Sequence, residues 1–266
     1  MFQDLIRKRF SLSMRLVIML VLAVAAFSLM PALVARADDF TVNDNGDGGD
    51  ANPGDGTCAT AGNVCTLRAA IEEANALGGY NTISFSITDP ITLASELGIT
   101  SDLTINGPGA GSLAISGNNA TRVINISSGA TVTITGVTIQ DGYLPDANGA
   151  GINNSGTLLL DSARVVNNAI SASATEGFGG GVYNVGVLMV SNSTVATNTA
   201  NRRGGGLYSA GAMTVTDSLI AGNQANFGGG IYNIDGDGSI INCTVYNNRA
   251  VEGSGGGIAH NTATAA

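Results

Sequence analysis

The sequence GGGVYN, residues 179–184, decides the fold because it returns three more times at nearly regular intervals. The later copies are GGGLYS at 204–209, GGGIYN at 228–233 and GGGIAH at 255–260, and a shorter form, GAGINN, precedes them at 149–154. The aliphatic residues after the glycines follow one another at steps of 30, 25, 24 and 27 residues: Ile152, Val182, Leu207, Ile231 and Ile258. Periods of about 20 to 50 residues indicate stacked structural units. We therefore expect a solenoid.

Each repeat also contains short runs of alternating aliphatic and small polar residues, such as VLMVSNSTVATN at 187–198 and AMTVTDSLIAGN at 212–223. Alternation of this kind is typical of β-strands, whose successive side chains point to opposite faces. A coil of roughly 24 residues has room for three strands of about 4 or 5 residues with turns between them. The sequence therefore predicts an all-β parallel β-helix, which extends less regularly into the earlier half of the chain.

In each repeat an Asp or Asn is followed six residues later by an Asn: Asp161 and Asn167, Asn192 and Asn198, Asp217 and Asn223, Asn242 and Asn248. An amide both donates and accepts hydrogen bonds, so we expect Asn198, Asn223 and Asn248 to bond to one another along the stack. The predicted core consists of inward aliphatic residues: Val190, Val195, Val215, Ile220, Ile241 and Val245.

Two features of the repeats need interpretation. The glycine clusters are typical of tight corners with positive φ, whereas a nucleotide-binding loop would require a helix after them, and strand patterns lie on both sides. Arg164 falls where the other repeats carry Val195, Ile220 and Val245. Either that rung is displaced or the arginine reaches out to solvent.

The first 37 residues have the layout of a secretory signal peptide. Basic residues precede the apolar run at 16–27, and Ala35-Arg36-Ala37 offers a cleavage site after Ala37. An uncleaved membrane anchor over 16–34 is the alternative. We expect an exported protein, extracellular or on the cell surface or outer membrane.

The charge of the chain excludes some partners. Residues 38–266 carry 6 basic and 19 acidic residues, a net charge of −13, and contain no lysine. This balance argues against binding to nucleic acid or anionic membranes. Membrane contact is expected only through the signal peptide or through a C-terminal anchor beyond a truncated end.

The segment 38–80 is predicted to cap the repeats of 81–266. Cys58 and Cys65 are the expected disulfide in an oxidising compartment, and Cys243 is expected to be a small buried residue without chemistry. After Cys65, the sequence TLRAAIEEANALGG predicts a helix with Thr66 as its N-cap and glycines at its end. Such an amphipathic helix would cover the open end of the solenoid.

The stretch Cys65-Thr66-Leu67-Arg68-Ala69-Ala70-Ile71 resembles the CSLREA motif of exported bacterial proteins with a right-handed parallel β-helix of the pectin-lyase-like fold. The repeats resemble those of polymorphic outer membrane proteins. The resemblance implies a fold and a cell-surface or secreted setting, and no reaction. Ala69 departs from it, because the motif has a glutamate there that would complete a capping box with Thr66.

The sequence favours a non-catalytic surface or secreted protein, either structural or an adhesin-like passenger. The alternative is a polysaccharide lyase or hydrolase, but neither a carboxylate pair nor a lysine is evident for it, and His260 is the single histidine. No cofactor is expected, although Asn43, Asn45 and Asp47 are weak calcium candidates in an acidic loop.

The predicted ligand face consists of stacked outward tyrosines: Tyr183, Tyr208 and Tyr232. Such a face would bind glycans or components of a host or neighbouring cell surface. The alternative is that the tyrosines only stabilise one face of a sheet.

Overall fold

A computed structural model describes residues 37–171, 177–234 and 238–261. Within these ranges the chain forms 26 strands and one α-helix, and every paired strand runs parallel to its neighbours. The strands stack into a parallel β-helix of about seven turns. The predicted fold class is confirmed.

Three long sheets form the sides of the solenoid. Sheet 1 contains, in spatial order, the described strands Asp39–Val42, Asn81–Phe85, Leu103–Asn106, Thr131–Thr135, Thr157–Asp161, Val187–Ser191, Ala212–Thr216 and Gly238–Ile241. Sheet 2 contains Ile91–Thr92, Ala114–Ser116, Thr138–Gln140, Arg164–Val166, Thr194–Ala196, Leu219–Ala221 and Thr244–Tyr246. Sheet 3 contains Leu97–Ile99, Ile124–Ile126, Ile152–Asn154, Val182–Asn184, Leu207–Ser209, Ile231–Ile234 and Ile258–Asn261. Two short pairs complete the turns: Tyr143–Leu144 with Ala169–Ile170, and Gln224–Ala225 with Arg249–Ala250.

The register of sheet 3 reproduces the repeat seen in the sequence. Ile152, Val182, Leu207, Ile231 and Ile258 are consecutive partners across its strands. The first glycine of each cluster has a positive φ, between 58° and 77°: Gly149, Gly179, Gly204, Gly228 and Gly255. Because this conformation favours glycine, the clusters are corners, as predicted.

The main core of the described residues runs through the stack as one continuous cluster of mostly aliphatic side chains, and a smaller cluster is separate from it: Ala150, Ile170, Ala200 and Ala225. Val190, Val195, Val215 and Ile220 are at most 1% exposed, which confirms these four predicted core positions. Side chains on successive turns lie in line because residues directly paired in a sheet point to the same face.

An asparagine ladder lies beside the core, just after sheet 2. Asn223 is fully buried, its Nδ2 donates to Asn248 Oδ1 at 2.9 Å, and its Oδ1 accepts from Asn198 Nδ2 at 3.0 Å. The next member of the ladder is Asn168, whose Nδ2 donates to Asn198 Oδ1 at 3.0 Å. The predicted hydrogen bonds among Asn198, Asn223 and Asn248 are confirmed. Asn167, which the six-residue spacing aligns with these asparagines, lies outside the ladder. Asn167 is exposed at a positive φ of 57° and accepts from Thr197 Oγ1.

At two other positions the register differs by one residue from the alignment that the sequence suggests. Val165 pairs with Val195 in the core, so Arg164 pairs with Thr194 and points outward. The rung is therefore not displaced, and the arginine is exposed. Likewise Ile240 pairs with Val215, whereas Ile241 is 57% exposed and is not a core residue.

Cys243 lies on the row that holds Ser218, Ser193 and Ala163 in the three preceding turns. Its thiol is free and half-buried, and Sγ lies 3.4 Å from the carbonyl oxygen of Val215. Val245, another predicted core residue, is also only half-buried because it lies in the last described turn.

The helix α1, Leu67–Leu77, covers the first turn of the solenoid. Thr66 Oγ1 accepts from the Ala69 backbone N–H at 3.1 Å, and Gly78, with a φ of 68°, ends the helix. Leu67 and Ile71 belong to the continuous core. Ala69 is fully buried, so a glutamate at this position would need a different packing of the helix. The predicted capping helix is confirmed.

Residues 1–36, which hold nearly all of the proposed signal peptide, and residues 262–266, to which the expected truncated end refers, lie outside the described residues. Among the helices of the part that is described, none is long and apolar enough to cross a bilayer.

We expect the substitution Asn223→Ala to lower the free energy of unfolding by roughly 2 to 4 kcal/mol, because it leaves buried hydrogen-bonding groups of Asn198 and Val195 without partners. Urea denaturation followed by circular dichroism measures this change. The matched control is Thr214→Val at an exposed strand position, which should change stability by no more than about 0.5 kcal/mol. An equal effect of both substitutions would contradict the role of the ladder.

Candidate functional site

An ion pair holds in place the acidic loop before the helix, residues 43–56. Asp47 Oδ1 lies 2.9 Å from Arg68 Nε, and Asp47 Oδ2 lies 3.0 Å from Arg68 Nη2. Both side chains are largely buried. Arg68 also donates to the carbonyl oxygens of Ser95 and Glu96, and Asp47 Oδ2 accepts from the backbone N–H of Ala94. The loop is thereby tied to both the helix and the first turn.

The structure does not bring the three calcium candidates together through a shared contact. Asn43 Oδ1 accepts from the Cys65 backbone N–H at 2.9 Å, while Asn45 Nδ2 donates to the Pro90 carbonyl oxygen at 3.4 Å. Asp47 is bound to Arg68. In the described part of the chain, no group of three or more His, Cys, Asp or Glu side chains is placed to hold a metal ion. Calcium binding stays a prediction.

Two glutamates of the helix and a disulfide complete the fastening of the loop. Glu73 is fully buried and accepts from the backbone N–H groups of Gly54 and Gly56. Cys58 and Cys65 form the predicted disulfide, with a Cα–Cα distance of 5.2 Å. Glu72 accepts from the Asp50 backbone N–H at 2.7 Å. These residues stabilise the cap, and the sequence pattern did not indicate the part played by the glutamates.

The three candidate tyrosines form a stack on the outer side of sheet 3. The ring centroids of Tyr183 and Tyr208 are 5.2 Å apart, and those of Tyr208 and Tyr232 are 5.8 Å apart. The planes are nearly parallel, at 9° and 7°. Tyr208 and Tyr232 are only 7% and 6% exposed, whereas Tyr183 is half-buried. The structure thus brings the tyrosines together but leaves Tyr183 as the more accessible end.

Residues from the loops before the glycine corners cover the stack. The Phe178 ring lies 5.0 Å from the Tyr208 ring, and the Arg203 guanidinium lies 5.0 Å from the centroid of Tyr232. Arg203 and Arg202 also approach the Phe178 ring, at 5.9 and 5.5 Å. Cation–π contacts of this kind are favourable. Sequence reasoning missed these residues because they lie outside the alternating strands, although their place before each GGG was a usable signal.

Burial changes the ionisation of the central tyrosine. Burial raises the pKa of Tyr208 above its ordinary value, and the neighbouring Tyr183 adds to the rise, while the charge of Arg203 opposes it. A neutral phenol is therefore favoured in the folded protein.

The row of sheet 3 that holds the stacked tyrosines continues toward the first turn, where its side chains are amides instead of aromatic rings. Asn153 is the register partner of Tyr183, and its Nδ2 donates to Asn125 Oδ1 at 2.8 Å. Asn125 Nδ2 in turn donates to Glu96 Oε1 at 3.2 Å, and Glu96 forms an ion pair with Arg122. Polar groups and a half-buried aromatic ring therefore lie side by side at Tyr183.

The carboxylates on the repeats take part in contacts between turns. Asp161 Oδ1 accepts from Ser191 Oγ at 2.6 Å and from Asn192 Nδ2 at 2.9 Å. The hydrogen bond from Ser191, followed by that from Asn192, lowers the pKa of Asp161. Asp217 accepts from Asn242 Nδ2 in the same way. His260 lies in the last described turn, where its Nδ1 is 3.4 Å from Asn233 Nδ2.

Comparisons of the chain with protein-family models, with curated proteins and with solved structures found no match.

We expect Asp47→Asn to lower the free energy of unfolding by about 1 to 3 kcal/mol in calcium-free buffer, because Arg68 loses its buried charged partner. Thermal unfolding with and without CaCl₂ measures this effect. The control Asp89→Asn changes an exposed acid outside the loop. Stabilisation of the wild type by CaCl₂ that Asp47→Asn abolishes would instead support the calcium site.

We expect the free energy of unfolding to fall as the pH rises above about 10. The pKa of Tyr208 is higher in the folded protein than in the unfolded chain. The stability that this group contributes is therefore fully present below the unfolded pKa and is lost as the pH rises through the folded pKa. Tyr208→Phe should lose less stability between about pH 8 and about pH 11. Urea titrations at the two pH values test this. Tyr80→Phe, at a residue that is 64% exposed, should follow the wild type.

Proposed function

We propose that this protein is an exported, non-catalytic β-solenoid that acts as a surface or secreted binding module of the adhesin or passenger type. Glycans or other components of cell surfaces are its proposed partners. Tyr183 and the polar row of Asn153 and Asn125 beside it form the proposed ligand face on sheet 3.

The observation that carries this proposal is the change from amides to stacked rings along one row of sheet 3. Asn125, Asn153 and Tyr183 are consecutive partners in the register. An aromatic face beside hydrogen-bonding amides offers both kinds of contact that a sugar ring uses. Phe178 and Arg203 pack against Tyr208 and keep it buried, and the buried Tyr208 ring in turn stacks against Tyr183.

The non-catalytic part of the proposal is supported by the use of the carboxylates. General acid catalysis favours a carboxyl group with a raised pKa, whereas hydrogen bonds from Ser191 and Asn192 lower the pKa of Asp161. Glu96 is bound by Arg122 and Asn125. These acids serve contacts between turns.

The surface setting is supported by the sequence of the cap. Residues 65–71 resemble the CSLREA motif, and the GGG repeats resemble those of polymorphic outer membrane proteins. Both resemblances imply an exported right-handed β-helix. The basic and apolar pattern of residues 1–37 supports the same localisation.

We expect Tyr183→Ser to weaken binding of the purified chain to glycans on an array, or to cells, by about fivefold or more, because one aromatic contact is lost. The matched control is Tyr246→Ser, at a residue 57% exposed on sheet 2, which should bind as the wild type does.

The same preparation is incubated with the polysaccharides that the array identifies. Unchanged polymer length is expected, and release of new reducing ends or unsaturated products would establish the lyase or hydrolase alternative. Equal binding by the wild type and by Tyr183→Ser would contradict the proposal that Tyr183 belongs to a ligand face. Fractionation of cells that express the tagged full chain tests export, and retention in the cytoplasm would contradict it.

A further inference from the structure

A groove of about 350 Å³ lies along the outer face of sheet 2, away from the tyrosine stack. Residues 110–114 form one wall, and Thr138, Gln140, Arg164 and Asn167 line the rest, together with Pro90 and Val166. Thr138 N donates to Leu113 O at 2.9 Å, which holds this wall against the strand of the next turn. The wall is therefore formed before any ligand arrives.

Arg164 supplies a positive charge to this groove. It lies between Thr138 and Thr194 in the register, is exposed, and has no ion-pair partner among the residues that the structure describes. By contrast, Arg68 and Arg122 are each bound to a carboxylate. A guanidinium group with no carboxylate partner can form two parallel hydrogen bonds to the carboxylate of a ligand.

Amide groups accompany the charge. Asn167 Oδ1 accepts from Thr197 Oγ1 at 2.6 Å, so its Nδ2 keeps the capacity to donate to a ligand. Gln140 adds a second amide to the lining. Asp141, the register neighbour of Asn167, is not part of the lining, and its Oδ2 accepts from Ser116 Oγ at 3.3 Å. The lining therefore presents a cation and neutral hydrogen-bonding groups.

We infer that this groove binds a sugar residue that carries a carboxylate. Arg164 pairs with the carboxylate, and the amides of Gln140 and Asn167 bond to hydroxyl or acetamido groups. The volume is at the lower end of the range for small-molecule sites, which suits one sugar residue. The inference rests on the proposed binding function and names a ligand class for it, but it uses a different sheet from Tyr183.

Isothermal titration of the purified chain with N-acetylneuraminate, with glucuronate and with neutral N-acetylglucosamine tests the inference. We expect heat of binding from at least one acidic sugar and none from the neutral sugar. Arg164→Gln should weaken that binding about tenfold or more, because a charge-assisted pair is lost. Arg249→Gln, which removes the same charge at another exposed site, should leave it unchanged. Added NaCl should weaken binding of the wild type.

Binding of only one acidic sugar would identify which source of the carboxylate the groove accepts. Absence of binding by both, equal binding of the neutral sugar, or an unchanged affinity of Arg164→Gln would overturn the inference. Circular dichroism checks the folding of the variant. If Arg164→Gln unfolds, Gln140→Leu is the variant to use, and it should weaken binding several-fold because one amide contact is lost. Because Tyr183→Ser leaves this groove intact, failure of the tyrosine face and failure of the groove are distinguishable.

Discussion

The regular part of the solenoid, from residue 149 onward, depends on corners at which consecutive turns approach so closely that a side chain cannot enter. A Cβ on Gly180 would lie 2.4 Å from Thr199 O and 2.7 Å from Gly205 O. Across this corner, backbone hydrogen bonds run from one glycine cluster to the next, such as Gly180 N to Gly204 O at 3.2 Å. Glycine is therefore required at these corners if the turns are to keep the spacing and register that the backbone hydrogen bonds give them.

The corners and the asparagine ladder act together. A Cβ on Gly181 would lie 3.0 Å from Asn198 Nδ2, and a Cβ on Gly206 would lie 3.0 Å from Asn223 Nδ2. The third glycine of a cluster thus makes room for the amide that closes the turn. A buried amide without hydrogen-bond partners lowers stability. Each turn of the ladder therefore requires the next turn to carry an asparagine at the equivalent position.

The fold could be predicted from the sequence because this corner repeats as a visible glycine pattern, and the strands between corners alternate. The positions that the sequence pattern aligned wrongly have one physical cause. A shift of one residue along a strand exchanges its inner and outer faces. Asn167 and Asn168 are adjacent, as are Ile240 and Ile241, and composition alone did not distinguish the members of each pair. In the candidate sites, the tyrosine stack was foreseen from its period. Phe178 and Arg203 were not, because they lie in loops where neither period nor alternation marks the side chain.

The register also shows which positions of the solenoid can change without loss of the core. Inward positions and corners are fixed by packing, so an outward residue such as Arg164 can vary without loss of the core residue Val165 beside it. The same holds for Tyr183, whose neighbour Val182 is fully buried. Because each sheet has its own outer row, a charged groove on sheet 2 and an aromatic row on sheet 3 can coexist on one solenoid. The rows of outward side chains are therefore the positions that packing leaves free to vary, and the glycine corners keep those rows aligned.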